Sequence, residues 1–168
     1  MNNIFTETKR VVIKVGSSLL VDSGAIKKQW LKSLIEDITY LLDNGVEVIL
    51  TTSGSIALGK ANAGLDHGLT IAQKQAAAAI GQINLMSDLQ KIAHQYHFQV
   101  GQILLCAADF DNRERYDNLY NIFQELLRRK IVPVINENDS VSVDEIKIGD
   151  NDRLAARVAQ ICDADLLI

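Results

Sequence analysis

Short β-branched runs alternate with amphipathic helical stretches along the chain, and this alternation constrains the fold more than any other feature. Residues 10–16, RVVIKVG, are rich in Val and Ile and end in glycine. That pattern predicts a buried strand entering a tight loop. Ile26, Trp30, Leu34, Ile38 and Leu41 then recur at helical spacing. Asn44-Gly45 ends this helix, because glycine takes the left-handed C-terminal position without steric cost. VEVILTT, residues 46–52, predicts a second strand. A strand, a crossover helix and a second strand form a right-handed βαβ unit.

The alternation continues past Ser53-Gly54. A helical stretch runs to about residue 63, followed by a loop to about residue 69. A long helix comes next, with Ala72, Ala76, Ile80, Ile83, Met86, Leu89, Ala93 and Tyr96 in register. A third strand lies around 98–105. Leu119, Ile122, Phe123, Leu126 and Leu127 mark the apolar face of another helix, and Ile131–Ile135 is a fourth strand. A loop over 136–145 leads to a short β-like segment, EIKIG. Asp150-Asn151-Asp152 opens a helix to about Cys162, and Asp165–Ile168 begins one more buried strand. The predicted fold class is α/β, a three-layer α/β/α sandwich around a mainly parallel sheet. Residues 1–9 read as an N-terminal tail, and neither repeat nor linker divides 10–168.

Composition narrows the classes further. The 168 residues, 48% hydrophobic and 23% charged, suffice for one domain with a core. One proline and 5% aromatics argue against an all-β sandwich or barrel. The net charge of -4 and the pI near 5.3 disfavour a nucleic-acid partner. No stretch approaches the ~18 apolar residues of a membrane span, and MNNIFTETKR lacks the apolar run of a signal peptide. A cytoplasmic protein with no membrane partner is expected. Cys106 and Cys162 lie in apolar stretches and are expected to be buried and reduced.

In such sheets ligands sit beyond the carboxyl ends of the strands. After the first strand come Lys14, Gly16, Ser17 and Ser18. A cation, a close backbone approach and hydroxyl donors suit a phosphate; a snorkelling lysine ahead of a Gly-Ser turn is the other reading. After the second come Thr52, Ser53, Gly54 and Ser55, either an anion-binding helix start or an ordinary cap. Gly54 to Lys60 also matches G-x-x-x-x-G-K, the opening of a P-loop. Ala61 follows where a Mg²⁺-ligating hydroxyl should stand, and the interior is helical in character, which weakens that alternative. After the fourth strand comes Asn136-Glu137-Asn138-Asp139-Ser140. So many polar groups beyond a buried run are costly unless they bind or cap something. With Asp150, Asn151 and Asp152 they fit recognition of an ammonium group or organisation of lysines. His94 and His97 lack a third ligand, so no metal site held by protein side chains is expected. Asp111, Arg113, Glu114 and Arg115 read as a solvated helix start or a subunit contact.

Together these segments resemble the amino acid kinase family, within it the branch acting on the γ-carboxylate of L-glutamate at the first step of proline biosynthesis. VVIKVGSSLL, TTSGSIALG, AAIGQ, VGQILL, NRERYDN, IVPVINENDSV and EIKIGDNDRLAA carry the resemblance, from about Arg10 to Ile168. It implies the carbamate kinase-like fold and ATP with Mg²⁺ as cofactors. By resemblance, Lys14 bridges the transferring phosphate while Gly16 and Ser17 lie against the phosphates. Ser53, Asp139 and Asn151 hold glutamate, Gly54 admits the backbone to the substrate, and Asp152 orients the phosphate-binding lysines. In the family, the strand begun by DADLLI continues into a nucleotide-binding half with another catalytic lysine. The chain is therefore expected to be the amino-acid-substrate part of the kinase domain, and inactive alone. A homo-oligomer is implied for the full-length enzyme. The alternatives are a non-catalytic remnant, or a glutamate-binding half of a split kinase.

Overall fold

The computed structural model describes residues 7–65, 68–141 and 150–168. Its first half contains β1 (Arg10–Lys14), α1 (Ser17–Leu20), β2 (Val21–Asp22), β3 (Ala25–Ile26), α2 (Lys28–Asp43), β4 (Glu47–Thr51) and α3 (Ser55–Asn62). Then follow α4 (Ile71–Gln95), β5 (Gln99–Leu105), α5 (Arg113–Arg128), β6 (Ile131–Glu137), α6 (Asp150–Ile161) and β7 (Leu166–Leu167). Five strands form one sheet in the order β5-β6-β4-β1-β7, and every pair in it is parallel. The layered α/β fold expected from the alternation is the one observed.

Consecutive strand residues feed opposite faces of the sheet. Val11, Val48, Leu50 and Val134 pack with Leu31 and Ile35 of α2 and with Leu85 and Leu89 of α4. Val12, Ile49, Ile103 and Ile135 pack with Phe123 of α5 and with Val158 and Ile161 of α6. A parallel sheet covered on both faces needs apolar residues at successive positions, which is why its strands are unbroken Val/Ile/Leu runs. The chain moves outward from β1 through β4 to β5, then turns back through β6 and crosses to β7. Right-handed crossovers place the outward helices on one face and the returning helices on the other.

Three expectations need correction. Ile26 belongs to β3, not to a helix. Val21–Ile26 and Asp22–Ala25 pair as an antiparallel hairpin. Its turn residues Ser23 and Gly24 have φ of 48° and 77°. Positive φ at both turn residues matches the twist of paired strands, so the hairpin displaces the first helical turn and α2 starts at Lys28. Its deepest side chains are Leu31, Ile35 and Ile38, with Trp30, Leu34 and Leu41 partly buried beside them.

The second correction concerns α4. Leu89 and Ala93 are buried as expected, but Ile83 is 72% exposed and Ile80 is 40% exposed. The buried face of its first half is Ala77, Ala78, Gly81, Gln82 and Leu85. The cause is close contact with α3. A Cβ on Gly81 would lie 1.8 Å from the Ser55 carbonyl oxygen, and one on Gly59 would lie 1.7 Å from that of Ala77. Only glycine permits such backbone approach, so the two glycines set which face of α4 turns inward. Ile122 is likewise exposed on α5. The third concerns the thiols. Cys162 is buried and Cys106 only half-buried, and both are free. The EIKIG segment lies outside the described residues.

Candidate functional site

The carboxyl ends of β1 and β4 stand level, and β6 continues past them to Glu137. Lys14 pairs with Thr51 in the β1–β4 register, and Thr51 with Ile135 in the β4–β6 register. The loops that leave these strands therefore open on one edge of the sheet. The Thr52 amide donates to the Ile135 carbonyl at 2.8 Å, and its hydroxyl to the same oxygen at 3.3 Å. These bonds hold the β4 exit against β6.

Lys14 ends β1 and sends Nζ to within 2.6 Å of Asp152 Oδ1. Asp152 is the third residue of α6, where the positive end of the helix dipole favours a carboxylate. The ion pair is partly open, with side-chain exposures of 29% for Lys14 and 64% for Asp152. Gly16 is the N-cap of α1, and a Cβ there would sit 3.7 Å from Lys14 Nζ. The missing side chain keeps the space beside the ammonium clear. Ser17 opens α1 and rests against the next loop. A Cβ on Gly54 would come within 3.5 Å of Ser17 Cβ and 3.0 Å of Val21 Cγ2. Gly54 also has φ of 100°, in the left-handed region that favours glycine. Ser53 joins the same two loops, its hydroxyl donating to the Val15 carbonyl at 3.0 Å.

A second cluster is more enclosed. Ser55, Gln82, Asn136 and Asp139 are all buried. Asn136 Nδ2 donates to Gln82 Oε1 at 2.8 Å and to Ser55 Oγ at 3.4 Å. Ser55 Oγ donates to Asp139 Oδ2 at 3.2 Å. A cavity of about 30 Å³ adjoins this group, bounded by Ser55, Gln82, Leu104 and Asp139 among others. Asn151 stands one residue before Asp152, and its buried Oδ1 accepts no hydrogen bond from the described residues. A buried acceptor in that state suits a donor arriving with a ligand.

All eight residues singled out in the sequence lie at this carboxyl edge or on the first turn of α6. Lys14 meets Asp152, Gly16 lies beside Lys14, Gly54 beside Ser17, and Ser53 is tied to the β1 exit. Asp139 is held by Ser55. Sequence reasoning did not single out Gln82 as a member, named Ser55 only within the helix start after the second strand, and treated Asn136 only as part of a polar run. That run after a buried strand was the available signal for Asn136. For Gln82 the signal was a neighbouring glycine in a helix. The P-loop alternative fails on geometry: Gly54 caps α3, while Gly59 and Lys60 lie within it and Gly59 is packed on α4. A larger cavity, about 700 Å³, lies at the opposite edge of the sheet, among Val46, Tyr96, Phe98 and Ile131. It contains none of the eight residues.

The charged cluster stands at the start of α5. Asn112 caps α5 by accepting from the Arg115 amide, Arg115 pairs with Asp109, and Arg157 with Asp111. His94 and His97 are exposed. Among the described residues no three His, Cys, Asp or Glu side chains gather as a metal site.

The amino acid kinase family model matches residues 9–168, which includes every element of the site. The chain belongs to the amino acid kinase family. It is 51% identical over 162 residues to a glutamate 5-kinase of Bartonella henselae, a match covering 95% of this chain and 43% of that protein. A glutamate 5-kinase 2 of Mesorhizobium japonicum is 47% identical over 163 residues, covering 95% of this chain and 57% of the relative. A glutamate 5-kinase of Rhodospirillum rubrum is 49% identical over 160 residues, 94% of this chain and 43% of the relative. The chain thus spans roughly half the length of these relatives or less. No helix among the described residues is long and apolar enough to cross a membrane.

Proposed function

We propose that this chain carries the acceptor-binding and phosphate-organising part of an ATP-dependent kinase. The acceptor is the γ-carboxylate of L-glutamate, the product L-glutamyl 5-phosphate, and the step the first of proline biosynthesis. The observation that carries the reading is the 2.6 Å Lys14–Asp152 pair at the carboxyl edge of the sheet. A lysine fixed by a carboxylate, beside a glycine that keeps its surroundings clear, is organised to meet an anion.

Each residue has a chemical task in this reading. Lys14 neutralises charge on the phosphate in transfer, and Asp152 aims it. Gly16 and Ser17 lie along the phosphates. Ser53 has already committed its hydroxyl proton to Val15. It therefore faces a ligand as an acceptor, which suits the ammonium of glutamate. Asp139 and Asn151 Oδ1, which has no partner among the described residues, offer further acceptors to the same group, and Gly54 admits the backbone to the substrate. A glutamate side chain, with an ordinary pKa of about 4.3, is already ionised at neutral pH. No general base is required, so positioning and electrostatics are the whole task. ATP supplies the phosphoryl group when bound. Mg²⁺ commonly relies on substrate phosphates with one or two carboxylates, and would neutralise phosphate charge when bound with ATP.

The reading extends to organisation. Residues 10–168 form the amino-acid-substrate part of the kinase domain, preceded by a tail at 1–9. The full-length enzyme is a homo-oligomer; the exposed Ile80 and Ile83 on α4 support this. Two free thiols support a cytoplasmic location. In a full-length enzyme containing this stretch, Lys14→Ala should reduce turnover by about 10²-fold or more, with the KM for glutamate nearly unchanged. Acyl phosphate trapped as hydroxamate measures this. Retained turnover would remove Lys14 from the reaction. The 168-residue chain alone should form no hydroxamate, and ATP-dependent product from it would overturn the division into parts.

A further inference from the structure

We propose that Gln82 is a positioning residue for glutamate binding, acting through Asn136 and Ser55 on the carboxylate of Asp139. The inference rests on the reading of Asp139 as an acceptor-site group and adds a residue on a different layer of the fold.

The hydrogen-bond directions along this chain are determined. The Glu137 amide donates to Asn136 Oδ1 at 2.9 Å, which identifies the oxygen end of the Asn136 carboxamide. Asn136 Nδ2 must then face outward with both protons. One goes to Gln82 Oε1 at 2.8 Å and the other to Ser55 Oγ at 3.4 Å. Having accepted this hydrogen bond, Ser55 turns its own proton toward Asp139 Oδ2 at 3.2 Å. Gln82 is the anchor at the far end. Its amide oxygen holds one arm of Asn136, and the other arm then has a single place to point.

Gln82 stands in that position because of its neighbour. Gly81 brings α4 so close to α3 that a Cβ would fall 1.8 Å from the Ser55 carbonyl oxygen. That contact places the next side chain, Gln82, directly against the β6 exit. Only 7% of Gln82 is exposed, and its Nε2 has no hydrogen-bond partner among the described residues. Burial of a polar donor in that state costs roughly 1–3 kcal/mol. A leucine or methionine would fill the space without that cost. The retained carboxamide is explained by its other end, the oxygen that orients Asn136.

The test is calorimetric titration of the 168-residue chain with L-glutamate, alongside thermal unfolding. Gln82→Met keeps the volume and removes the acceptor oxygen. It should weaken glutamate binding by about tenfold, the equivalent of one lost hydrogen bond, while the cooperative unfolding transition persists. Gln82→Asn, which keeps a carboxamide on a shorter arm, should fall between parent and Met variant. Ser55→Ala breaks the same chain farther along, so its effect and that of Gln82→Met should be strongly non-additive. Parent-like affinity in both Gln82 variants would overturn the proposal. So would additive effects of Gln82→Met and Ser55→Ala, or loss of the unfolding transition in both Gln82 variants. If the parent chain itself binds no L-glutamate, the acceptor-site reading fails first and this inference fails with it.

Discussion

Gly59 and Gly81 decide the orientation of a 25-residue helix although neither carries a side chain. A methyl group on either would enter the backbone of the facing helix, and overpacking of this kind costs typically 1–3 kcal/mol. Gly81→Ala is therefore expected to lower the unfolding free energy by that order, shifting the urea midpoint down, and to weaken glutamate binding as Gln82 is displaced. Equilibrium unfolding measures the first effect. A second prediction concerns the thiols. Burial pushes the Cys162 thiol up to about 12, and Cys106 is raised less, chiefly by desolvation. Native protein exposed to iodoacetamide should be modified at Cys106 well before Cys162, as peptide mass spectrometry would show. Small residues also explain what the sequence conceals. Lys14, Ser53 and Asp139 announce themselves by charge or polarity after apolar strands. Gln82 does not, because its importance depends on a glycine contact between two helices that periodicity cannot register.

The elements were largely legible where apolar runs were long. The strands β1, β4, β5 and β6 and the helices between them follow from runs and periods in the sequence. The β2–β3 hairpin was not seen, although Ser23-Gly24 between Val21-Asp22 and Ala25-Ile26 is a two-residue turn signal. Strands of two residues leave no period to count. The inward face of α4 was misread because the helix is apolar on more than one side, so the period alone leaves its rotation open. β7 is equally short, and a local device fixes it. Asp165 Oδ2 accepts from the amides of Lys9 and Arg10, each at 2.8 Å. Those backbone bonds, that to Arg10 first, hold the Asp165 carboxyl below its ordinary value. A lowered folded-state pKa contributes stability above the unfolded value, near 3.9, and the contribution disappears as pH falls through the folded value. Asp165→Ala should thus be less stable than the parent at neutral pH, with the gap closing below about pH 4. Urea midpoints across that range measure it; a gap independent of pH would show that the carboxylate is not what matters.

At the scale of the whole molecule, one sheet serves two cores. β4 gives Leu50 to the α2/α4 side and the adjacent Ile49 to the α5/α6 side. β1 and β6 divide their residues in the same way, Val11 from Val12 and Val134 from Ile135. Removing the helices from one face would expose strands whose other face still needs them, so neither core is stable without the other. The two faces carry separate reporters. Trp30, the sole tryptophan, lies on the α2 side, and Cys162 is fully buried on the α5/α6 side. Shared strands predict a single transition in urea, with Trp30 fluorescence, Cys162 labelling and far-ultraviolet circular dichroism giving one midpoint. The candidate site depends on this unity, because Lys14 leaves β1 and Asp152 leaves α6, a helix that belongs to the second core. A Cys162 midpoint below that of Trp30 would mean that α6 separates first, taking Asp152 from Lys14 while the rest of the sheet remains folded. Glutamate at 100 times its Kd should then raise the Cys162 midpoint preferentially, whereas in a single unit it stabilises every reporter equally, by about 2.7 kcal/mol.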